Sequence, residues 1–267
     1  MAIQKGVVKY LGTLGEIRHF KIKGLPEYYA GLKGGPTGEQ VLTDPVFERT
    51  RENMNEFGGC AKAGKSVRTA FSSLIDKMAD SQITGRLTSI MKKINLEDQT
   101  EARGYRAILI SAQRQYLQGL QFDKNLNFDS IITAPFSVSH VAARNEATLT
   151  VPAFNPLSSI VAPAGSTHFR LVTALGVVSD FEYNDNTGTY EPIDADNNEK
   201  SIVAYSAYLP LDAAAAAQSI VATLAGAPVL TNDDSVIQCV GIEFFQQVGP
   251  NYYQFASGNC LKVAEIF

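Results

Sequence analysis

Short apolar and polar runs alternate over the first 32 residues of the chain, at the spacing that is typical of β-strands. Residues 7–11, 17–23 and 28–32 each fit one strand, and Gly24-Leu25-Pro26-Glu27 fits a turn. The pattern therefore predicts a small antiparallel ribbon, followed by a flexible Gly-rich linker at residues 33–38. Because a ribbon of about thirty residues is marginally stable alone, we expect it to pack on the rest of the chain or on another copy.

The pattern changes to the period of helices after this linker. Asp44-Pro45 is a helix start signal, and the apolar residues of the segment 45–57 share one broad face. Further one-sided apolar stripes predict a helix that starts near Ser66, a third at about residues 82–95 and a fourth at about residues 101–118. Amphipathic helices joined by short links predict a small bundle.

Strand patterns return from about residue 119 to the end of the chain. A hairpin is expected at residues 120–129, and the alanine run at residues 213–217 is expected to form a short helix or to cover a sheet edge. Repeated short strands separated by turn signals are typical of an antiparallel β-sandwich of the immunoglobulin-like kind. Its main strands are expected at residues 147–151, 169–178, 202–209, 220–224, 236–248, 252–255 and 261–266.

These patterns together predict an α+β chain in three parts. We expect a short N-terminal β ribbon with its Gly-rich linker at residues 1–36, a small helical bundle at residues 37–119 and the immunoglobulin-like β-sandwich at residues 120–267. The length of 267 residues and the hydrophobic fraction of 45% allow a sizeable core.

One segment of the predicted bundle, Gly59-Cys60-Ala61-Lys62-Ala63-Gly64-Lys65-Ser66, fits the phosphate-binding motif G-x-x-x-x-G-K-[ST]. In that motif the glycines let backbone N–H groups surround a phosphate, the lysine reaches the β- and γ-phosphates, and the hydroxyl binds Mg²⁺. A phosphate loop here would use Gly59, Gly64, Lys65 and Ser66. The motif needs a buried strand before it, but residues 48–57 are a charged run with helical spacing. We therefore interpret the segment as a glycine-rich joint between two helices.

An acidic loop at residues 180–199 carries oxygen ligands of the kind that Ca²⁺ prefers. Its spacing does not fit an EF-hand, and turns rich in Asn and Asp are commonly just solvated. We therefore expect no metal and no cofactor, and we keep Asp194, Asp196 and Glu199 as the weak Ca²⁺ candidates.

The cysteines and histidines do not suggest a reaction centre. Cys60, Cys239 and Cys260 lack the spacing of metal ligands and predict reduced thiols, although a disulfide between Cys239 and Cys260 stays open. The three histidines are scattered, and no known motif places a nucleophile beside a base. We therefore expect a chain without catalytic activity.

Charge is distributed unequally between the two halves of the chain. Residues 1–130 contain 19 Lys and Arg and 14 Asp and Glu, a net charge of +5, whereas residues 131–267 contain 4 and 13, a net charge of −9. The N-terminal half of one copy can therefore attract the C-terminal half of another. Because acids are interspersed among the basic residues, we do not expect nucleic acid as a partner.

Long apolar segments are missing from the sequence. The N-terminus lacks the apolar region of a signal peptide, and no apolar run approaches the ~20 residues that span a membrane. We expect a chain that is made in the cytoplasm, with later release or surface assembly left open.

Several segments resemble an uncharacterised family of bacterial proteins. They are GTLGEI (residues 12–17), KGGPT (33–37), TDPVF (43–47), RTREN (49–53) and APAGSTHF (162–169). The resemblance spans most of the chain and implies one integrated protein. Because that family has no assigned activity, it implies no active site and no substrate.

The leading hypothesis is a structural subunit that assembles with copies of itself into a filament, tube or particle, including one of phage or secretion-machine ancestry. The small ribbon, its flexible tether and the opposite charges of the two halves motivate it. One alternative is a nucleotide-binding protein that uses the segment 59–66. The other is a sandwich that binds a glycan or another ligand through its aromatic residues, which include Tyr183, Tyr190, Tyr205, Tyr208, Tyr252 and Tyr253.

Overall fold

The computed structural model describes all 267 residues, which divide into two compact units, Met1–Arg51 and Glu52–Phe267. The predicted α+β class is confirmed, because the chain forms six α-helices and several sheets whose paired strands run antiparallel. The three predicted parts, 1–36, 37–119 and 120–267, stay a prediction.

The first unit is built on a four-stranded sheet with the strand order β1-β4-β3-β2. Its strands are β1 (Ala2–Ile3), β2 (Gly12–Leu14), β3 (Ile17–Lys21) and β4 (Tyr28–Leu32). Helix α1 (Gly38–Thr43) follows, and a capping box between Thr37 and Gln40 fixes its start. No residue from Met1 to Arg51 is buried. The unit therefore has strands and a helix but no core.

Three helices follow: α2 (Glu48–Ala70), α3 (Ser72–Met78) and α4 (Ile83–Glu97). The third predicted helix is confirmed as α4, but the predicted glycine-rich joint at residues 59–66 is wrong, because α2 continues through all of its glycines. A glycine in a helix costs about 1 kcal/mol relative to alanine. Here the buried stripe Cys60, Ala63 and Val67 packs into the core and offsets that cost.

The second unit is organised around a six-stranded sheet. Its two central strands are β7 (His168–Ser179) and β13 (Asp234–Val248), which pair along twelve residues. Two strands flank β7 and two flank β13; they are β10 (Ser201–Tyr205), β11 (Leu209–Pro210), β14 (Asn251–Gln254) and β15 (Cys260–Ile266).

The central strands are covered on both faces. Val172, Ala174 and Cys239 point towards α2, α3 and α4 and share a core with them. Leu171 and Ile242 point the other way, into a core shared with a three-stranded sheet. Strands buried on both faces carry near-continuous apolar runs, as these do. The three-stranded sheet comprises β12 (Gln218–Thr223), β6 (Glu146–Val151) and β5 (Ser137–His140).

Some local predictions are wrong. Residues 7–11 form no strand. Residues 101–118 form no α-helix but an irregular segment with one 3₁₀ turn, and the positive φ of 96° at Gly104 interrupts any helix near its start. No hairpin forms at residues 120–129, since Asn127 caps a short helix, α5 (Phe128–Ile131). Of the two alternatives for the alanine run, the helix is wrong, and Ala215 pairs with Phe154 in an isolated bridge. The remaining elements are α6 (Pro156–Ser159), β8 (Phe181–Asn184) and β9 (Thr189–Pro192).

Asp98 anchors the irregular segment that follows α4. Its carboxylate accepts hydrogen bonds from Thr100 N (2.8 Å), Thr100 Oγ1 (2.6 Å) and Ala107 N (2.8 Å). Burial opposes the ionised form of Asp98, but these hydrogen bonds outweigh burial and lower its pKa. A lowered pKa stabilises the fold above the unfolded-state value of about 4, and this stabilisation is lost as the pH falls through the folded-state value.

We expect Asp98→Asn to lower the free energy of unfolding at neutral pH by about 1–3 kcal/mol, because the replacement loses charged acceptors. Urea unfolding at a series of pH values should show this loss shrinking as the medium becomes acidic. The control is Asp76→Asn, because the Asp76 side chain is 85% exposed. A loss that is the same at neutral and acidic pH would contradict this role of the ionised carboxylate.

Candidate functional site

The residues of the phosphate-binding motif lie in the interior of α2, where the glycines allow close packing. A Cβ atom added to Gly59 would lie 2.4 Å from Cγ of Tyr190, so the tyrosine ring rests against the helix backbone. A Cβ atom on Gly64 would lie 3.4 Å from Cβ of Leu87, where α4 crosses α2. These glycines therefore serve contacts between elements, and the strand, loop and helix of a phosphate site are not formed here.

The polar residues of the motif also have partners within the protein. Lys62 Nζ donates to Thr189 Oγ1 (2.6 Å) and to the Tyr190 carbonyl oxygen (3.1 Å). Ser66 Oγ donates to Glu199 Oε1 at 2.8 Å. Both contacts attach α2 to the β8–β9 hairpin and the loop after it. Lys65 is exposed on the same helix.

A buried polar network lies beside this part of α2. Glu56 is 1% exposed, forms an ion pair with Lys92 and accepts a hydrogen bond from Gly104 N at 2.8 Å. Lys92 also donates to Asn95 Oδ1 at 2.8 Å, so the network joins α2, α4 and the irregular segment. Burial raises the pKa of the neighbouring Cys60 thiol to about 12, so this thiol stays protonated at neutral pH. The network therefore links these three segments through a buried ion pair and hydrogen bonds.

The structure does not bring the three Ca²⁺ candidates together. Asp194 accepts hydrogen bonds from the backbone and side-chain nitrogens of Asn197, Asp196 is exposed, and Glu199 accepts from Ser66. No group of three or more His, Cys, Asp or Glu residues is arranged to hold a metal ion.

The three cysteines are buried and free, so the open possibility of a disulfide is wrong. Cys239 faces the core shared with the helices, whereas Cys260 faces the core shared with the three-stranded sheet. Side chains on opposite faces of one sheet cannot bond to each other. Burial raises the pKa of both thiols, to about 12 for Cys260.

The tyrosines suggested as ligand contacts fall into separate groups. Tyr183 and Tyr190 pack edge to face at the β8–β9 hairpin, with ring centroids 5.6 Å apart, and Tyr190 is buried. Tyr205, Tyr208 and Tyr252 instead come together at one end of the six-stranded sheet. Tyr183 also lines an open cleft, and Tyr253 is exposed, but only the second group gathers three of these rings at one place on the surface.

We call this second group, together with Arg170 and Phe245, the aromatic platform. The Tyr208 and Tyr252 rings stack in parallel, with centroids 4.0 Å apart. The Arg170 guanidinium lies over the Tyr205 ring, 3.8 Å from its centroid. Phe245 meets the edge of Tyr208 at 4.9 Å. The three tyrosine rings and the guanidinium are thus contiguous, and they pack on Phe245, which is only 4% exposed.

The sequence pattern alone does not identify Arg170 and its ion-pair partner Glu243 as site residues. The two residues lie opposite each other on β7 and β13, on the face that the helices cover further along the strands. A charged residue at the end of an otherwise apolar strand is the signal for this site. This signal can be recognised only after the pairing of β7 with β13 is known.

The N-terminal sheet is the second surface of interest, because its apolar side chains are exposed. Ten of the 26 exposed large hydrophobic side chains lie within the first 33 residues, which is far above their share of the chain. Pairing places Leu14 opposite Ile17 and Ile17 opposite Leu32, so these three share one face. Their exposed fractions are 73%, 45% and 83%. We call these three residues the apolar face of the sheet.

Comparison with known proteins gives no further guide to function. No family model, no curated protein and no solved structure matches the chain. This agrees with the resemblance to a bacterial family that has no assigned activity. Among the helices, none is both long enough and apolar enough to cross a membrane.

Gly58 and Gly59 provide a matched test of the packing role of the motif. We expect Gly59→Ala to lower the free energy of unfolding by about 1–3 kcal/mol, because the new methyl group overlaps the Tyr190 ring. Gly58→Ala should stabilise the protein by about 0.5–1 kcal/mol, since nothing lies within 4 Å of its Cβ position. Urea unfolding measures both changes. Equal effects of the two substitutions would contradict the assigned contact.

The exposed Lys65 tests the nucleotide-binding alternative. We expect millimolar ATP or GTP with Mg²⁺ to leave the melting temperature unchanged. We also expect the Lys65→Ala variant to have the same melting temperature as the wild type. The reason is that α2 offers no loop in which N–H groups surround a phosphate. Thermal denaturation followed by circular dichroism measures both. Stabilisation by nucleotide that Lys65→Ala removes would overturn the assignment.

Proposed function

We propose that this protein is a structural subunit that assembles with copies of itself, and that another copy completes the N-terminal sheet. The observation that carries the proposal is the absence of any buried residue from Met1 to Arg51, although these residues form four strands and a helix. The stacked three- and six-stranded sheets of the second unit support an immunoglobulin-like sandwich as the subunit body.

The energetic argument starts from the size of the sheet. Strand pairing alone does not stabilise a small ribbon in water; a hydrophobic face must be buried as well. The apolar face offers Leu14, Ile17 and Leu32 for this purpose. Burying one large aliphatic side chain contributes about 1.5–3 kcal/mol. Contact with a second surface would therefore add stability that the exposed sheet lacks.

The edges of the sheet favour extension across copies. The outer strands, β1 and β2, are two and three residues long, and each has one unpaired side. Short edge strands, charge, proline and bulges all oppose the pairing of an edge with further strands. β2 is short, but its residues Gly12, Thr13 and Leu14 include no charge and no proline. Its unpaired side thus offers up to three residues to a neighbouring strand.

Charge favours a second copy as the partner. Residues 1–33 contain six Lys and Arg and two Glu, a net charge of +4, whereas residues 131–267 carry −9. Two of these acids, Glu182 and Asp185, line a cleft of about 550 Å³ together with Glu101. Complementary charge accelerates association and selects its orientation. A head-to-tail contact between opposite regions generates rings or filaments.

Light scattering of the full chain tests the proposal. We expect the untagged wild type to exceed its chain mass of 28.9 kDa severalfold, and the variant Leu14→Asp/Ile17→Asp/Leu32→Asp to return to that mass. Buried carboxylates would oppose the contact. The control is Leu157→Asp/Val161→Asp/Val229→Asp, because these side chains are similarly exposed, at 72%, 68% and 89%.

Circular dichroism must show that both variants keep the folded second unit. Electron microscopy of the wild-type sample then distinguishes a filament or tube from a closed particle. A wild type that stays at the mass of one chain over a wide range of concentration and salt contradicts the proposal. Equal behaviour of the two triple variants contradicts the role of the apolar face.

A further inference from the structure

We propose that the aromatic platform is a binding site for a neutral sugar residue of an oligosaccharide. The site lies on the second unit and does not depend on the proposed assembly. It occupies the end of the β7–β13 pair, on the face that the helices cover only as far as Val172. Beyond that point the face carries the platform, and Tyr205 and Tyr208 are 39% and 38% exposed.

The platform is held rigidly before any ligand arrives. Arg170 Nε donates a hydrogen bond to Glu243, whose other carboxylate oxygen accepts from Gln254 Nε2 at 3.0 Å. The guanidinium is thereby fixed over the Tyr205 ring, while Tyr208 is fixed between Tyr252 and Phe245. A preorganised site loses less conformational entropy on binding, so more of the contact energy appears as affinity.

The free polar groups match the hydroxyl groups of a sugar. The Nη atoms of Arg170 have no hydrogen-bond partner in the protein and are not among its buried unsatisfied atoms. The Tyr205 and Tyr208 hydroxyls also have no partner. Burial, followed by the charge of Glu243, raises the pKa of Tyr205, so its phenol keeps a proton to donate. Several directional donors thus lie beside the partly exposed rings of Tyr205 and Tyr208.

Charge favours a neutral ligand over an ion. The positive charge of Arg170 is balanced by Glu243, which is only 4% exposed. The pair therefore offers hydrogen bonds without a net charge that would attract a carboxylate or a phosphate. A pyranose ring combines an apolar C–H face, which packs on an aromatic ring, with hydroxyl groups at its edge. This combination fits the platform better than a purely apolar or an ionic ligand.

Isothermal titration calorimetry of the full chain tests the inference. The probes are neutral hexasaccharides of glucose, xylose, mannose and N-acetylglucosamine, and a hexamer of glucuronic acid as the acidic comparison. We expect at least one neutral probe to bind with a dissociation constant of about 1 mM or tighter. Tyr208→Ala should weaken that binding at least about tenfold, because it removes the centre of the stacked rings.

Tyr253→Ala is the matched control, because Tyr253 is the exposed neighbour of Tyr252 on β14 and belongs to no ring pair of the platform. It should leave affinity unchanged within about twofold. If Tyr208→Ala does not fold, Tyr205→Ala and Arg170→Lys replace it. Arg170→Lys keeps the charge but removes the planar fork of donors, so it should also weaken binding.

Three results would overturn the inference. The first is that no neutral probe binds at millimolar concentration. The second is that a probe binds but the platform variants bind it as tightly as the wild type does. The third is that the glucuronic acid hexamer binds more tightly than every neutral probe, which would assign the site to an anionic ligand.

Discussion

The pairing of β7 with β13 under two covering layers dictates which side chains the interior of the second unit can hold. A strand pair buried on both faces tolerates few side chains beyond apolar ones, and it requires close approach wherever a helix crosses it. A Cβ atom on Gly176 would lie 2.8 Å from Phe71, the residue between α2 and α3. The small residues of these strands and of α2 follow from this packing. The two motif glycines in α2 lie at contacts of this kind, Gly59 against Tyr190 and Gly64 against Leu87.

The chain has one part with a hydrophobic core and one part without a core. From Glu52 onwards, burial on both faces of the sheet gives the chain its cores. The first unit has no buried residue, and its apolar face is open. The covering helices also end before the strands do, which leaves the aromatic platform on the surface. The apolar face and the aromatic platform therefore both lie outside the region in which the sheet is covered on both faces.

Much of the fold could be predicted because long patterns carry a strong signal. The apolar runs of β7 and β13 and the stripe of α4 were predicted close to their observed bounds. The apolar residues of the segment 101–118 have helical spacing, but the segment is irregular. Ile108 and Ile110 are buried individually and do not form the apolar face of a helix. Tyr208 was among the named aromatics, but its partner Arg170 depends on strand pairing, which a single sequence does not reveal.

Amide hydrogen exchange on the untagged chain shows whether the N-terminal sheet needs a second copy to be stable. It is measured at one concentration where light scattering reports a single chain and at another where it reports an assembly. The account predicts that the amides of β3 and β4 exchange rapidly in the single chain and slowly in the assembly, while those of β7 and β13 exchange slowly in both. Slow exchange of β3 and β4 in the single chain would contradict it, because the sheet would then be stable without a second copy.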